Sequence, residues 1–396
     1  MTRIVLAGGG TAGHTSPLIA TAQAITNLDP EAEITCIGTS KGLETRVIPQ
    51  AGLKLELIRP VPMPRKPNLD LVKLPWNLRQ SVREARAILR HARAQALIGF
   101  GGYVAIPAYL AARTMRVPVL VHEANLVVGI ANKVAARFAA FTGYTFPDTQ
   151  IRGGRRIGMP MNRSITQPAM TRTEARERFG LDPDRPTLLV SGGSQGARAI
   201  NQALSGALPA ILDAGIQVLH VLGAKNFSDA DVVVEAASGA RYVPVAYVDA
   251  MIEAYLTADL MIGRAGAGTV METAVLGLPV VFIPLPWGNG EQARNAAGLV
   301  ADGAGILLPE AELSADKLSG LVIPTITDME KLARMAELAR PHSPADAADV
   351  LAGTAIPDPA PVGRPEALRY ALAAGGTEPE EEEGEEIDPC PPPGSG

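Results

Sequence analysis

Short apolar runs alternate with longer amphipathic stretches from the N-terminus to about Thr145, and that alternation predicts βαβ units feeding a parallel sheet. Strands are expected at Ile4–Ala7, Ile34–Gly38, Leu55–Arg59, Ala96–Phe100, Val117–His122 and Phe141–Tyr144, with helices at Pro17–Leu28, Leu43–Gln50, Leu78–Arg93 and Gly129–Arg137. The pattern starts again after Pro186. Strands are then expected at Thr187–Ser191, Gln217–Leu222, Tyr242–Ala246, Leu260–Gly263 and Val280–Pro284, and helices at Ala197–Leu212, Asp249–Leu256, Thr269–Leu276 and Gln292–Asp302. A last amphipathic stretch, Asp328–Arg340, closes the second unit. The expected fold class is α/β: two Rossmann-like, doubly wound parallel-sheet domains over residues 1–160 and 161–345, facing a cleft. From about Pro341 the composition shifts to Ala, Pro, Gly and Asp, and after Gly375 to Glu and then Pro-Cys-Pro-Pro-Pro. Residues 346–396 therefore read as a disordered, low-complexity acidic tail.

Composition adds limits to this picture. The 396 residues are 47% hydrophobic and 19% charged, enough apolar material for two cores. Lys and Arg number 36 against 41 Asp and Glu, but eight of the acids lie between Glu378 and Asp388, so the body has a slight positive balance. That balance suits anionic ligands and falls short of a nucleic-acid-binding surface, so no nucleic-acid partner is expected. The two cysteines, Cys36 and Cys390, cannot form a disulfide framework, which points to the cytoplasm. Met1–Ala7 is too short for a signal-peptide core, and no run approaches the roughly 18 apolar residues of a spanning helix.

Chemistry concentrates in glycine loops. Gly8-Gly9-Gly10-Thr11-Ala12-Gly13-His14 follows the first strand and satisfies G-x-G-x-x-G through Gly8, Gly10 and Gly13, which lets backbone approach a ligand closely. A dinucleotide site would place an acid about 20 residues on, at the end of the second strand. The chain reads Gly38-Thr39-Ser40-Lys41 there, which disfavours NAD and leaves NADP, with Lys41 at a 2′-phosphate, as an alternative. No G-x-x-x-x-G-K-[ST] occurs, so a P-loop nucleotidase is excluded. Gly192-Gly193-Ser194-Gln195-Gly196-Ala197-Arg198 and Gly263-Arg264-Ala265-Gly266-Ala267-Gly268-Thr269 repeat the strand-to-helix position in the second domain. A helix N-terminus carries about half a positive charge, so two such loops suit a diphosphate, and Arg264 adds a full charge. His14, His91, His122, His220 and His342 have no ligand spacing among themselves or with the cysteines; no metal and no cofactor are expected.

The ordered set Gly9-Gly10-Thr11-Ala12-Gly13-His14, Gly101-Gly102-Tyr103-Val104, His122-Glu123-Ala124-Asn125, Gly192-Gly193-Ser194-Gln195-Gly196-Ala197-Arg198, Arg264-Ala265-Gly266-Ala267 and Glu291-Gln292-Ala293-Arg294-Asn295-Ala296 resembles the MurG family, from about Arg3 to Arg340. The resemblance implies the metal-independent GT-B glycosyltransferase architecture. It also implies inverting transfer of N-acetylglucosamine from UDP-GlcNAc to undecaprenyl-linked muramyl-pentapeptide, lipid I to lipid II, in peptidoglycan synthesis. By the same resemblance Thr11, Ala12 and Gly13 line the sugar and phosphate end of the donor site, and Asn125 reaches the sugar from the first domain. Ser194 and Arg264 meet the diphosphate, Val248 the uracil, and Ala267, Gly268, Thr269 and Val270 the diphosphate and neighbouring backbone. Glu272 takes the ribose hydroxyls and Gln292 the sugar hydroxyls, with Asn295 chemically suited to the latter as well.

His14 is the expected catalytic residue, because inversion requires the acceptor hydroxyl to lose its proton as it attacks, and a helix N-terminus keeps an imidazole neutral. His122-Glu123 lies at the same cleft edge and reads equally as a buried pair fixing the next loop. Two positions depart from the family pattern. Ala124 stands where the family has glutamine, and Gly158-Met159-Pro160-Met161-Asn162 ends in asparagine where the family has arginine, with Arg163 one step later. Arg59–Pro67, followed by Leu69, Leu71, Val72, Leu74, Trp76 and Leu78 among Lys73 and Arg79, has the apolar, Trp-bearing, basic character of a membrane interface. The family implies a peripheral site on the cytoplasmic face of the cell membrane. Alternatives are a GT-B enzyme with another lipid or natural-product acceptor, and a non-catalytic nucleotide-sugar-binding protein.

Overall fold

The computed structural model of the protein describes residues 1–61, 69–193, 196–286 and 290–356, the backbone alone over 69–73. Its first lobe alternates β1 (Arg3–Ala7), α1 (Ala12–Leu28), β2 (Glu33–Thr39), α2 (Glu44–Gln50), β3 (Lys54–Ile58), α3 (Leu69–His91), β4 (Ala96–Gly99), α4 (Ala105–Met115), β5 (Val119–Glu123), α5 (Ile130–Ala135), β6 (Phe141–Tyr144) and β7 (Gly154–Arg156). These strands form one parallel sheet in the order β3-β2-β1-β4-β5-β6-β7. Strand β4 is apolar and buried along its length, β1 is so after Arg3, and β5 is buried throughout, apolar over Val119–Val121 before its polar end at His122-Glu123, as a sheet covered on both faces requires.

After α6 (Arg163–Thr166) and α7 (Arg172–Arg178) the second lobe repeats the plan. It contains β8 (Thr187–Ser191), α8 (Arg198–Asp213), β9 (Gln217–Val221), β10 (Val234–Glu235), β11 (Arg241–Val245), α9 (Met251–Thr257), β12 (Leu260–Gly263), α10 (Ala267–Leu276), β13 (Val280–Phe282), α11 (Glu291–Ala301), β14 (Gly305–Leu307), α12 (Ala315–Ile326), α13 (Met329–Ala339) and α14 (Ala347–Ala355). The order is β10-β11-β9-β8-β12-β13-β14, parallel except for the short antiparallel edge strand β10. Both sheets therefore reverse direction at one place, between β1 and β4 in the first and between β8 and β12 in the second. Ligands bind outside the strand carboxyl ends at such switch points.

Every strand expected from the sequence is present, with ends shifted by at most two residues. Helix α4 was not anticipated because Ala105, Pro107, Ala108, Tyr109, Ala111 and Ala112 are all buried, which erases the polar face that marks an amphipathic helix. Helix α1 begins at Ala12 instead of Pro17; Pro17 falls early in the helix, where its missing N–H forfeits one backbone bond. The chain does not leave the fold at residue 346. Helix α14 packs on α1, with Ala347, Ala348, Val350, Leu351, Ala352, Ala355 and Ile356 joining the core formed by Ile4, Leu18, Ile25 and Ile98 of the first lobe. Its alanine-rich sequence has the composition of a linker but is buried on a broad side, so composition alone misplaced the boundary of the tail.

Candidate active site

Four loops leave the two switch points: Gly8–Thr11 after β1, Phe100–Val104 after β4, Gly192–Ala197 after β8 and Arg264–Gly266 after β12. The three glycine loops of the sequence, and the Gly101-Gly102 pair, thus occupy the same place in each lobe. Gly10, Gly101, Gly102, Gly193 and Gly196 have φ of 92°, 89°, 81°, 81° and 70°, a region open to glycine and costly for other residues.

The first loop feeds α1, whose N-cap is Thr11. The Thr11 carbonyl accepts the N–H groups of His14 and Thr15, while its exposed side chain makes no capping bond. Ala12 and Gly13 form the half-exposed first turn. The His14 ring lies beneath the second loop: a Cβ at Gly101 or Gly102 would come within 3.3 Å of it. Its Nδ1 is buried without a partner of regular hydrogen-bond geometry. Burial lowers the His14 pKa from 6.5, opposed by the Phe100 carbonyl and the Glu44 charge, so the neutral imidazole is favoured at neutral pH.

Glu44, an acid that the sequence alone did not single out, holds the first glycine loop. It is fully buried at the start of α2 and accepts hydrogen bonds from Gly10 N, Thr39 N and Thr39 Oγ1. The acid sought at the end of β2 comes instead from the next helix, a placement that no nucleotide-fold spacing signals.

The His122-Glu123 pair has the structural role. Glu123 accepts the N–H groups of Asn125 at 3.0 Å and Gly129 at 2.9 Å and the side-chain amide of Asn132 at 2.9 Å, while Tyr109 donates to Asn132 Oδ1. Desolvation pushes the Glu123 pKa up, and these donors restrain it. This network fixes the loop that carries Asn125, whose own side chain makes no hydrogen bond among the described residues. His122 pairs through Nε2 with the Gly158 carbonyl at 2.9 Å.

In the second lobe α10 follows its N-cap Gly266 and starts at Ala267. Ala267 is almost fully buried, and Val270 is completely so, its N–H spent on the Gly266 carbonyl at 2.9 Å, which leaves it no group for a ligand; Gly268 and Thr269 are half-exposed. Glu272 follows on the next turn and receives the Tyr255 hydroxyl on Oε2 at 2.8 Å. Val248 is 6% exposed, in the core shared with Ala124 and Ala267. Ser194 lies outside the described residues.

Arg264 is more constrained than a free cation. Its Nη2 is 2.5 Å from Glu310 Oε2, and Nη1 donates to the carbonyls of Ile283 and Pro284, bracing the β12–α10 turn against the end of β13. Gln292, in the first turn of α11, accepts the Leu285 N–H at 3.1 Å and retains its amide donor. Asn295 is 2% exposed and joins the lobes: Oδ1 accepts from Leu126 N at 3.2 Å, and Nδ2 donates to the Ala265 carbonyl at 3.4 Å. It is thereby spent on structure and not on a sugar.

Both departures from the family pattern have a local explanation. Ala124 is 1% exposed in a core shared with Val248, Ala267 and Val270 of the second lobe. Asn162 caps α6 by accepting the Ser164 N–H at 2.9 Å, and Arg163 pairs with Asp349 at 3.5 Å. Arg163 is therefore held by the returning helix α14.

Residues 62–68 of the expected membrane segment lie outside the described residues. Further along α3, Trp76 is 67% exposed and, with Arg79, Gln80, Arg83, Glu84 and Ala87, lines an open groove of about 420 Å³. Among the described residues no helix is long and apolar enough to cross a membrane, and no cluster of three His, Cys, Asp or Glu has the disposition of a metal site.

Comparison with known proteins matches residues 4–143 to the glycosyltransferase family 28 N-terminal domain and residues 187–351 to the glycosyltransferase family 28 C-terminal domain. The chain is 51% identical over 352 residues to the UDP-N-acetylglucosamine--N-acetylmuramyl-(pentapeptide) pyrophosphoryl-undecaprenol N-acetylglucosamine transferase of a Nocardioides species, covering 88% of this chain and 96% of the relative. It is likewise 51% identical over 360 residues to the enzyme of that description from Cutibacterium acnes, covering 89% and 96%. Among solved structures it is similar to Acinetobacter baumannii MurG, with a TM-score of 0.70 and 27% identity over 89% of this chain and 99% of that one.

Proposed function

The chain belongs to glycosyltransferase family 28 and within it to the MurG transferases, and from that membership we propose the reaction and the roles of the residues at its switch points. The enzyme transfers N-acetylglucosamine from UDP-GlcNAc to undecaprenyl-diphosphate-linked muramyl-pentapeptide, converting lipid I to lipid II in peptidoglycan synthesis. The observation that carries the reading is the pairing of a half-buried, neutral-favouring His14 at one switch point with the amide-rich start of α10 at the other.

His14 takes the proton of the acceptor hydroxyl as its oxygen attacks the anomeric carbon, the bond to UDP breaks, and the configuration inverts. Charge developing on the departing diphosphate is met by the amides of Ala267, Gly268 and Thr269 and by the loop that holds Ser194. Arg264 acts at this end mainly by bracing that turn, and it meets the diphosphate directly where Glu310 yields. Val248 receives the uracil, and Glu272 the ribose. Asn125 and Gln292, each with an uncommitted amide, receive the sugar from opposite lobes, with Thr11, Ala12 and Gly13 completing the wall.

Fixed amide dipoles take the place of a cation, so the reaction is metal-independent. The Trp76, Arg79 and Arg83 face of α3 seats the protein on the cytoplasmic face of the membrane, where the apolar ring sinks between headgroups and the guanidiniums meet anionic lipid. The test is a transfer assay with UDP-GlcNAc and a short-chain polyprenyl-diphosphate muramyl-pentapeptide in the presence of chelator, following UDP release and the disaccharide product. Turnover that needs added metal removes the metal-independent mechanism. Donor binding with no transfer to this acceptor moves the enzyme to a different acceptor.

A further inference from the structure

We propose that Tyr255 is a positioning residue that makes donor binding selective for a ribose over a deoxyribose, by holding the Glu272 carboxylate in one orientation. The inference rests on the reading of Glu272 as the acceptor for the ribose hydroxyls and deepens it.

Tyr255 lies on α9 and Glu272 on α10, so their contact is made by the packing of two helices and not by local sequence. The phenol is 4% exposed, inside the core that contains Ile252, Ala254, Met271 and Ala274. Packing alone would be served by phenylalanine, because a hydroxyl taken from water into such a core is costly unless it finds a partner. The hydroxyl finds Glu272 Oε2 at 2.8 Å, and the Thr269 side chain acts on the same phenol. Burial and the adjacent carboxylate raise the Tyr255 pKa well above 10, so it remains a donor.

The two oxygens of Glu272 are thereby made unequal. Oε2 is committed to Tyr255, while Oε1 lies 3.7 Å from where a Cβ on Gly268 would stand and makes no hydrogen bond among the described residues. Gly268 opens the half-exposed first turn of α10, the end at which the donor is read, and its lack of a side chain leaves Oε1 approachable. One oxygen is pinned and the other is offered. Burial raises the Glu272 pKa, and the Tyr255 hydrogen bond opposes that shift by favouring the charged acceptor. A site built to accept hydroxyls rejects a ligand that lacks them because its acceptor is then left desolvated and unpaired.

The experiment compares UDP with 2′,3′-dideoxyuridine diphosphate by calorimetry on the full chain and on Tyr255→Phe, which removes one oxygen and leaves the ring to pack. Hydrogen bonds to a charged acceptor discriminate by roughly 10- to 100-fold, so wild type is expected to prefer UDP by about that ratio. Tyr255→Phe is expected to narrow it to about threefold or less, with affinity for the dideoxy ligand held within about twofold. In turnover the KM for UDP-GlcNAc rises by about tenfold while kcat stays within about threefold, the split expected of lost ground-state binding. In a Glu272→Ala background the same change leaves the ratio unmoved. If wild type binds both ligands equally, the ribose reading of Glu272 fails and the proposal with it. If wild type discriminates and Tyr255→Phe discriminates as strongly, the ribose reading stands and the role of Tyr255 is overturned.

Discussion

Glu44 Oε2 accepts the backbone N–H of Gly10 at 2.8 Å, so the first glycine loop is held by a carboxylate of the protein itself. Added Cβ atoms at Gly9 and Gly38 would come within 2.6 Å of Glu44, and the chain at those positions is glycine to admit the acid. Glu44→Gln keeps the shape and removes the charge that raises the His14 pKa. The acid limb of the kcat profile is therefore expected to move to lower pH, with the KM for UDP-GlcNAc within about twofold. A limb that stays in place in a folded Glu44→Gln enzyme would show that Glu44 acts on the loop alone.

The His14 pKa lies below 6.5 because burial penalises the imidazolium, so the base is neutral above its pKa and is lost as the pH falls through it. His14→Ala is expected to reduce kcat by about 10²- to 10⁴-fold, the usual range for a positioned base, and to abolish the acid limb. UDP affinity should change by no more than about twofold, since the donor is read largely from the other lobe. Turnover within tenfold of wild type would remove His14 from the proton transfer.

How much of this was legible in the sequence divides along physical lines. Period and turn chemistry are local, and they placed eleven of the fourteen strands, missing the two- and three-residue strands β7, β10 and β14, together with the glycine loops that the switch points later explained. Contacts between elements are not local. Glu44, 34 residues from Gly10, has the look of an ordinary helix-start acid, and Tyr255 that of an ordinary core aromatic. Asn295 was chemically suited to a sugar, but only the packed lobes bring the Leu126 amide to it. Arg264 was legible as a cation near the diphosphate, whereas its pairing with Glu310 depends on how the chain after β14 returns to the sheet.

The Arg264–Glu310 pair is largely shielded, with side chains 11% and 17% exposed. Removing one member of such a pair leaves the other charge without compensation, at a cost of about 3–5 kcal/mol. Glu310→Ala is therefore expected to lower the urea midpoint markedly, and Arg264→Ala to do so along with any loss of donor affinity. If Arg264→Ala weakens UDP binding at unchanged stability, the arginine is a ligand contact and not a brace.

His122 and His220 are 0% and 2% exposed, and burial depresses both pKa values to about 4. Between pH 6.5 and 4 the unfolded chain binds more protons at these two sites, so their stabilisation is complete above 6.5 and is lost as the pH falls toward 4. The full effect is on the order of 3 kcal/mol per histidine. Urea unfolding at pH 7 and 4.5 should show a smaller acid-induced loss in His220→Gln than in wild type. An equal loss in the two would mean that His220 titrates normally in the fold.

Helix α14 decides where the folded chain ends. It covers α1 with Val350, Leu351 and Ile356, and burying an aliphatic side chain contributes roughly 1.5–3 kcal/mol. A chain stopped after Asp346 exposes that face of the first lobe and strands Arg163 without Asp349. The exposed pair itself contributes little, so the loss comes from the apolar face. Several kcal/mol in a chain of this size corresponds to a fall in Tm of about 10 °C or more. A chain stopped after Asp358 keeps the helix, and the Pro-, Gly- and Glu-rich segment beyond it has only Val362, Leu368, Tyr370, Leu372 and Ile387 as large apolar side chains, so its Tm and turnover should match those of the full chain. Scanning calorimetry of the two truncations separates the possibilities: equal Tm values would make α14 a dispensable appendage, and a loss in the longer truncated chain would give the acidic segment a part in the fold.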